Sequence, residues 1–138
     1  MNRFIALVTF LIISVPGFAQ PLSVTDAWIK NLPPAMPMRA GYMQLMNHDD
    51  NTATIVSVSS NAFKKVEIHQ TINNDGVMSM HPIKSLVVEA NGMAFLKPGG
   101  MHLMLIKPTR DLKIGDEVEV VLQFDNDSSQ VILMTVKK

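Results

Sequence analysis

Two imidazoles and two thioethers stand in the middle of this chain at separations written H-x10-M-x21-H-x-M: His69, Met80, His102 and Met104. Imidazole nitrogen and thioether sulfur are neutral donors, and in combination they suit a soft cation such as Cu(I). The stretch from His69 to Met104 holds three of the four histidines and five of the eleven methionines, in a sequence without cysteine. In an oxidising compartment a thioether cannot form a disulfide, although it can be oxidised to the sulfoxide. Singly, each residue has a plainer reading. Methionine is a common gap-filler in apolar cores, and a lone histidine is more often hydrogen-bonded than metal-bound. His102, however, lies inside the apolar run Met101 to Ile106, where a buried imidazole needs a partner. It is the joint occurrence of the four that favours ligands over filler.

Strands are the elements that must bring these residues together. Ten short segments are β-branched or alternating and are bounded by Asn, Asp, Gly and Pro. They run Val24–Lys30, Tyr42–Asn47, Ala53–Ser59, Val66–Ile72, Val77–Ile83, Leu86–Glu89, Met93–Leu96, Met101–Lys107, Glu117–Phe124 and Val131–Val136. No segment sustains a helical period over three turns. Residues 32–38, with three prolines, read as an irregular loop. The regular spacing predicts an all-β sandwich with Greek-key connections, in a single domain over residues 20–138. Alternation puts His102 and Met104 on one face of their strand. A four-residue hairpin loop at Asn73–Gly76 would pair Ile72 with Val77 and set His69 directly opposite Met80, with Cβ atoms about 5 Å apart, whereas a two-residue turn would shift the register and separate them. Met78 shares the face of Met80, and His81 points the other way.

Three blocks, taken in order, are similar to those of the PCuAC copper-chaperone domains. They are Val66-Glu67-Ile68-His69, Asp75-Gly76-Val77-Met78-Ser79-Met80, and Leu96-Lys97-Pro98-Gly99-Gly100-Met101-His102-Leu103-Met104-Leu105. Ala27-Trp28 and the segment from Leu112 to Val120 also fit. The resemblance implies a cupredoxin-like sandwich holding one Cu(I) at an exposed site through His69, Met80, His102 and Met104. It further implies delivery of copper to respiratory oxidase assembly, typically the CuA centre, sometimes alongside a thioredoxin-like partner. Two positions depart from the family pattern: Gln70 follows the first histidine, and Met101 stands where an aromatic residue often precedes the second. Met36, Met38, Met43 and Met46 read as core and loop residues, since only His48 accompanies them.

Other functions need features this chain lacks. Lys and Arg together number 12 and Asp and Glu 12, with no basic stripe, which argues against nucleic acid. A blue-copper electron carrier needs a cysteine thiolate. Zinc hydrolysis needs three N/O ligands and a carboxylate base, and Glu67 is the only carboxylate near a candidate ligand. A metal-free sandwich serving as an interaction module, or a copper storage or tolerance protein, stands as the alternative to delivery. Met1-Asn2-Arg3, the apolar run Phe4 to Val15 and the small residues ending at Ala19 resemble a cleaved export signal. The run is a poor membrane span, and no cysteine near the cut offers a lipid anchor. A monomeric periplasmic protein, not an enzyme, is the expectation. N-terminal sequencing of protein from the exporting cell should then begin at Gln20; a pool retaining Met1 would overturn the export reading.

Overall fold

Residues 22–138 are described in a computed structural model, and the expected leader lies outside the described residues. Ten strands make up the described architecture: β1 (Leu22–Lys30), β2 (Met38–Asn47), β3 (Ala53–Ser59), β4 (Phe63–Asn74), β5 (Val77–Ile83), β6 (Leu86–Val88), β7 (Met93–Leu96), β8 (Met101–Pro108), β9 (Glu117–Phe124) and β10 (Ser129–Lys137). Every expected strand is present. Several run longer than alternation suggested, β2 and β4 the most, and the extensions of these two are pairing effects. β2 begins at Met38 because Met38 to Gly41 pair with Leu103 to Ile106 of β8. β4 runs to Asn74 because β5 folds back along it through Val77.

The strands join in the order β5-β4-β8-β2-β1-β10-β9-β3-β6, with β7 paired to β2. A contact between β3 and β4 at Val58↔Val66 closes the path. The sandwich is therefore a curled sheet whose edges meet, which leaves few open edges for stray pairing. β1 and β10 are the one parallel pair, at Trp28↔Thr135 to Lys30↔Lys137, and all other ladders are antiparallel. The alternation read from the sequence is the alternation of burial. Leu103 and Leu105, Val118, Val120 and Leu122, and Met134 and Val136 all face an interior that excludes water. Buried polar groups on this frame are mostly satisfied. Gln130 donates to and accepts from the backbone of Leu22, and Asn47 donates to the carbonyls of Val88 and Asn51.

β2 shifts its pairing midway, bonding β8 along its first half and β7 along its second. Gly41 sits where the first half crosses the core. A Cβ there would lie 3.1 Å from Leu105 Cδ1, 3.1 Å from Met134 Cε and 3.3 Å from Leu103 Cβ, tighter than ordinary contact. Gly41→Ala should therefore lower stability by about 1–3 kcal/mol through overpacking, read as a drop in the urea midpoint. An unchanged midpoint would mean that the core has slack at this crossing.

Candidate metal centre

β4 and β8 pair antiparallel from Phe63↔Pro108 to Gln70↔Met101, and in that register His69 stands directly opposite His102. Opposed residues of a ladder share a face, so the two imidazoles project side by side from the outer surface of the sheet. Their ring centroids are 5.9 Å apart, with the planes tilted by 45°. Residues two positions away share this face. Met104 and its partners Glu67 on β4 and Ala40 on β2 make the next row. Tyr42, two residues beyond Ala40, lies on the same side and stacks at 4.8 Å against Trp28. The phenol of Tyr42 is pushed above its ordinary value by burial, so it stays neutral beside the histidines' row.

Each imidazole is held by one nitrogen and leaves the other bare. His69 Nε2 donates to Glu67 Oε2 at 2.7 Å, and His102 Nδ1 donates to the carbonyl of Gly100 at 3.2 Å. Carbonyl and carboxylate oxygens only accept, so in the neutral rings those nitrogens carry the hydrogen. The lone pairs then reside on His69 Nδ1 and His102 Nε2. Both of these atoms are buried and lack a hydrogen-bond partner. Leaving a polar atom so costs about 1–3 kcal/mol, and a ligand-binding histidine is typically oriented through its other nitrogen in this way. Two imidazoles sharing an ion at about 2 Å from each nitrogen have centroids up to roughly 6 Å apart, so the observed spacing fits a common ion. Among the described residues no three His, Asp or Glu side chains gather to hold a metal. The other donors on this face are the carboxylate of Glu67, already engaged by His69, the phenol of Tyr42, and the thioethers.

Met104 stands on the face where alternation put it. It is half-buried and two residues from His102 on the same face. Met80 differs in position. The expected four-residue loop at 73–76 is instead a two-residue turn, Asp75-Gly76, with Asn74 paired to Val77. His69 therefore faces Pro82, and Met80 faces Thr71. The reason is local. Asp75 and Gly76 both adopt positive φ, 51° and 87°, the pattern of the tight hairpin turn that Asp-Gly favours. Asn73 Oδ1 also accepts from the Gly76 amide at 2.9 Å. The slip is by two residues, an even number, so Met80 keeps the face of His69 and sits on the diagonal, typically about 7–8 Å away and within reach of a long side chain. Met80 is 56% exposed.

The neighbours settle other readings. His81 pairs with Gln70 on the opposite face and bonds Ser79. Met101 packs against the core rather than toward His102. The four early methionines disperse: Met43 is buried in the core while Met36 and Met38 are exposed. Glu67, noted in the sequence only as a nearby carboxylate, is the group that orients His69. Its alternation with His69 was the available signal. The His69 bond, and after it the Lys65 bond, hold its carboxyl below the ordinary value. Since the folded form has the lower value, the carboxylate's stabilisation is present above the ordinary carboxyl range. It is lost as pH falls through that range.

Residues 22–136 match the family described as "Putative lipoprotein LpqE-like". The chain is 34% identical over 98 residues to "Uncharacterized protein RP573" of Rickettsia prowazekii, covering 70% of this chain and 54% of that protein, so it spans about half of that relative's length. Among solved structures it is similar to the "CuI-DR1885" solution structure from Deinococcus radiodurans, at 27% identity and a TM-score of 0.66, over 88% of this chain and 82% of that one. It also superposes on the "Copper-bound PCuAC domain from PmoF2" at 18% identity and a TM-score of 0.71, over 86% of this chain and 93% of that one. The fold is thus the cupredoxin-like sandwich of PCuAC domains.

The bare nitrogen of His102 carries its own test on metal-free protein. His102→Leu removes a buried atom without a partner, worth about 1–3 kcal/mol, and forfeits one bond to Gly100, worth about 0.5–1.5 kcal/mol. Stability in urea should therefore stay level or rise. A loss above about 1 kcal/mol would mean that Nε2 is engaged by the fold itself.

Proposed function

The chain belongs to this LpqE-like family, and from that premise we propose that it is an exported Cu(I) metallochaperone whose ligands are His69, Met80, His102 and Met104. The observation that carries the reading is the pair of buried, unpartnered nitrogens, His69 Nδ1 and His102 Nε2, on adjacent strands. Each is set by a bond on the far side of its ring, and two thioethers share the face. Such a donor set is neutral and soft, and it suits Cu(I) over the harder divalent ions. The description of the Deinococcus relative as a Cu(I) form supports that choice.

Copper is cargo on this reading, and no bond in a substrate is made or broken. His69, His102 and Met104 are anchored on β4 and β8, while Met80 stands exposed on the β4–β5 hairpin. An incoming donor from an acceptor protein can displace Met80 first and take the ion by exchange, driven by the difference in affinity. A thiolate-rich acceptor such as the CuA subunit of a respiratory oxidase, or a thioredoxin-like assembly factor, fits that requirement. The family's description as lipoprotein-like supports export, with the periplasm as the compartment.

Methionine-to-leucine exchanges separate ligand from filler. They nearly conserve volume and cost less than about 1.5 kcal/mol in a packed core. Met80→Leu and Met104→Leu should fold almost as the parent does and lose Cu(I) affinity about tenfold or more, measured anaerobically against a chromophoric chelator. Binding of Zn(II) or Cu(II) through the two imidazoles should survive. Met134→Leu, at a fully buried core position, is the control that should leave Cu(I) affinity unchanged. Equal Cu(I) affinity in all four proteins would remove the chaperone reading.

A further inference from the structure

Three buried side-chain nitrogens lack a partner among the described residues, and the third lies away from the histidines, at Arg39 Nε. Arg39 is 3% exposed and projects from β2 on the side opposite to Ala40 and Tyr42, toward the interior. Its Nη1 donates to the carbonyl of Leu32 at 2.7 Å. None of the four ion pairs among the described residues includes it. A buried cation without a counter-charge carries a desolvation penalty of several kcal/mol, and an orphaned donor adds to it. With Nη1 occupied, the free edge of the guanidinium is the Nε–Nη2 fork, whose two parallel N–H groups match the two oxygens of a carboxylate.

Space for a ligand lies beside this residue. Arg39 helps line a cleft of about 380 Å³ between the loop leading into β2 and the segment after β8, within the size range of small-molecule sites. Lys107 lines it and belongs to none of the ion pairs, whereas Arg110 is already paired with Asp116 at 3.4 Å. Asp111 is the one acidic residue in the lining, so the cleft is cationic on balance. Met36, Pro37 and Leu112 supply apolar wall. A fully hydrated phosphate gains nothing from such walls. A carboxylate joined to a small apolar body gains from both the fork and the walls. We propose that this cleft binds a small organic carboxylate, with Arg39 as its bidentate anchor and Lys107 as a second cation at the rim.

The site is independent of copper, and its test uses the exported chain with sodium butyrate as probe. Butyramide serves as the neutral isostere and inorganic phosphate as the comparison anion, all at matched ionic strength. Butyrate should shift the Arg39 Nε–H signal in 15N NMR and bind at least tenfold more tightly than either comparison compound. Arg39→Met should abolish the preference for butyrate over butyramide and leave Cu(I) affinity unchanged. Arg39→Lys keeps the charge without the fork, and butyrate should bind it several-fold more weakly than it binds wild type. Should Arg39→Met fail to fold, the wild-type comparison and Arg39→Lys still decide the matter. Equal binding of butyrate and butyramide, binding retained in Arg39→Met, or phosphate binding as tightly as butyrate would each overturn the assignment.

Discussion

The register between β4 and β8 is the constraint on which the site depends. That ladder faces His69 with His102 and Glu67 with Met104, and its inner side buries Val66 and Ile68 against Leu103 and Leu105. A slip of one residue would turn the imidazoles into the core and the aliphatic residues to water. The apolar alternation that stabilises the sandwich therefore also fixes where the donors stand. Positioning the two histidines costs the fold little beyond what the core already demands.

Within that frame the cost is concentrated on two atoms. Asn47 and Gln130, as buried as His102, direct their polar groups to backbone. His69 and His102 each spend one nitrogen, on Glu67 and on the Gly100 carbonyl, and hold back the other. A fold selected only for stability would satisfy or remove such atoms. A site for an ion must hold lone pairs in place and out of water, and the second bond of each ring supplies that orientation. The lowered value at Glu67 belongs to the same arrangement, because its carboxylate is stabilised by the ring it aligns.

The two thioethers differ in how firmly they are held. Met104 is half-buried in the middle of a sheet flanked by β2 and β4, whereas Met80 is on an outlying hairpin strand with most of its side chain in water. On the proposed reading as a carrier this asymmetry is useful, since a metal held by four rigid ligands would leave slowly. One flexible arm lets a ligand leave without disturbing the other three.

Much of this was legible in residue order. The ten strands follow from alternation and turn residues, since period-two burial writes itself directly into sequence, and the exclusion of thiolate chemistry follows from the missing cysteine. The shared face of His102 and Met104 follows from the same period. Asp75-Gly76 carried the hairpin register locally as well, through its preference for a two-residue turn, although a four-residue loop was the expectation. Only tertiary structure decided the rest. Which strands become neighbours depends on how the whole sheet curls, and β4 meets β8 across an intervening stretch that no local pattern encodes. That meeting turns two distant histidines into a pair. The same curl buries Arg39 away from every ion pair among the described residues. Burial and pairing are properties of surroundings, and a residue's surroundings exist only once the chain has closed on itself.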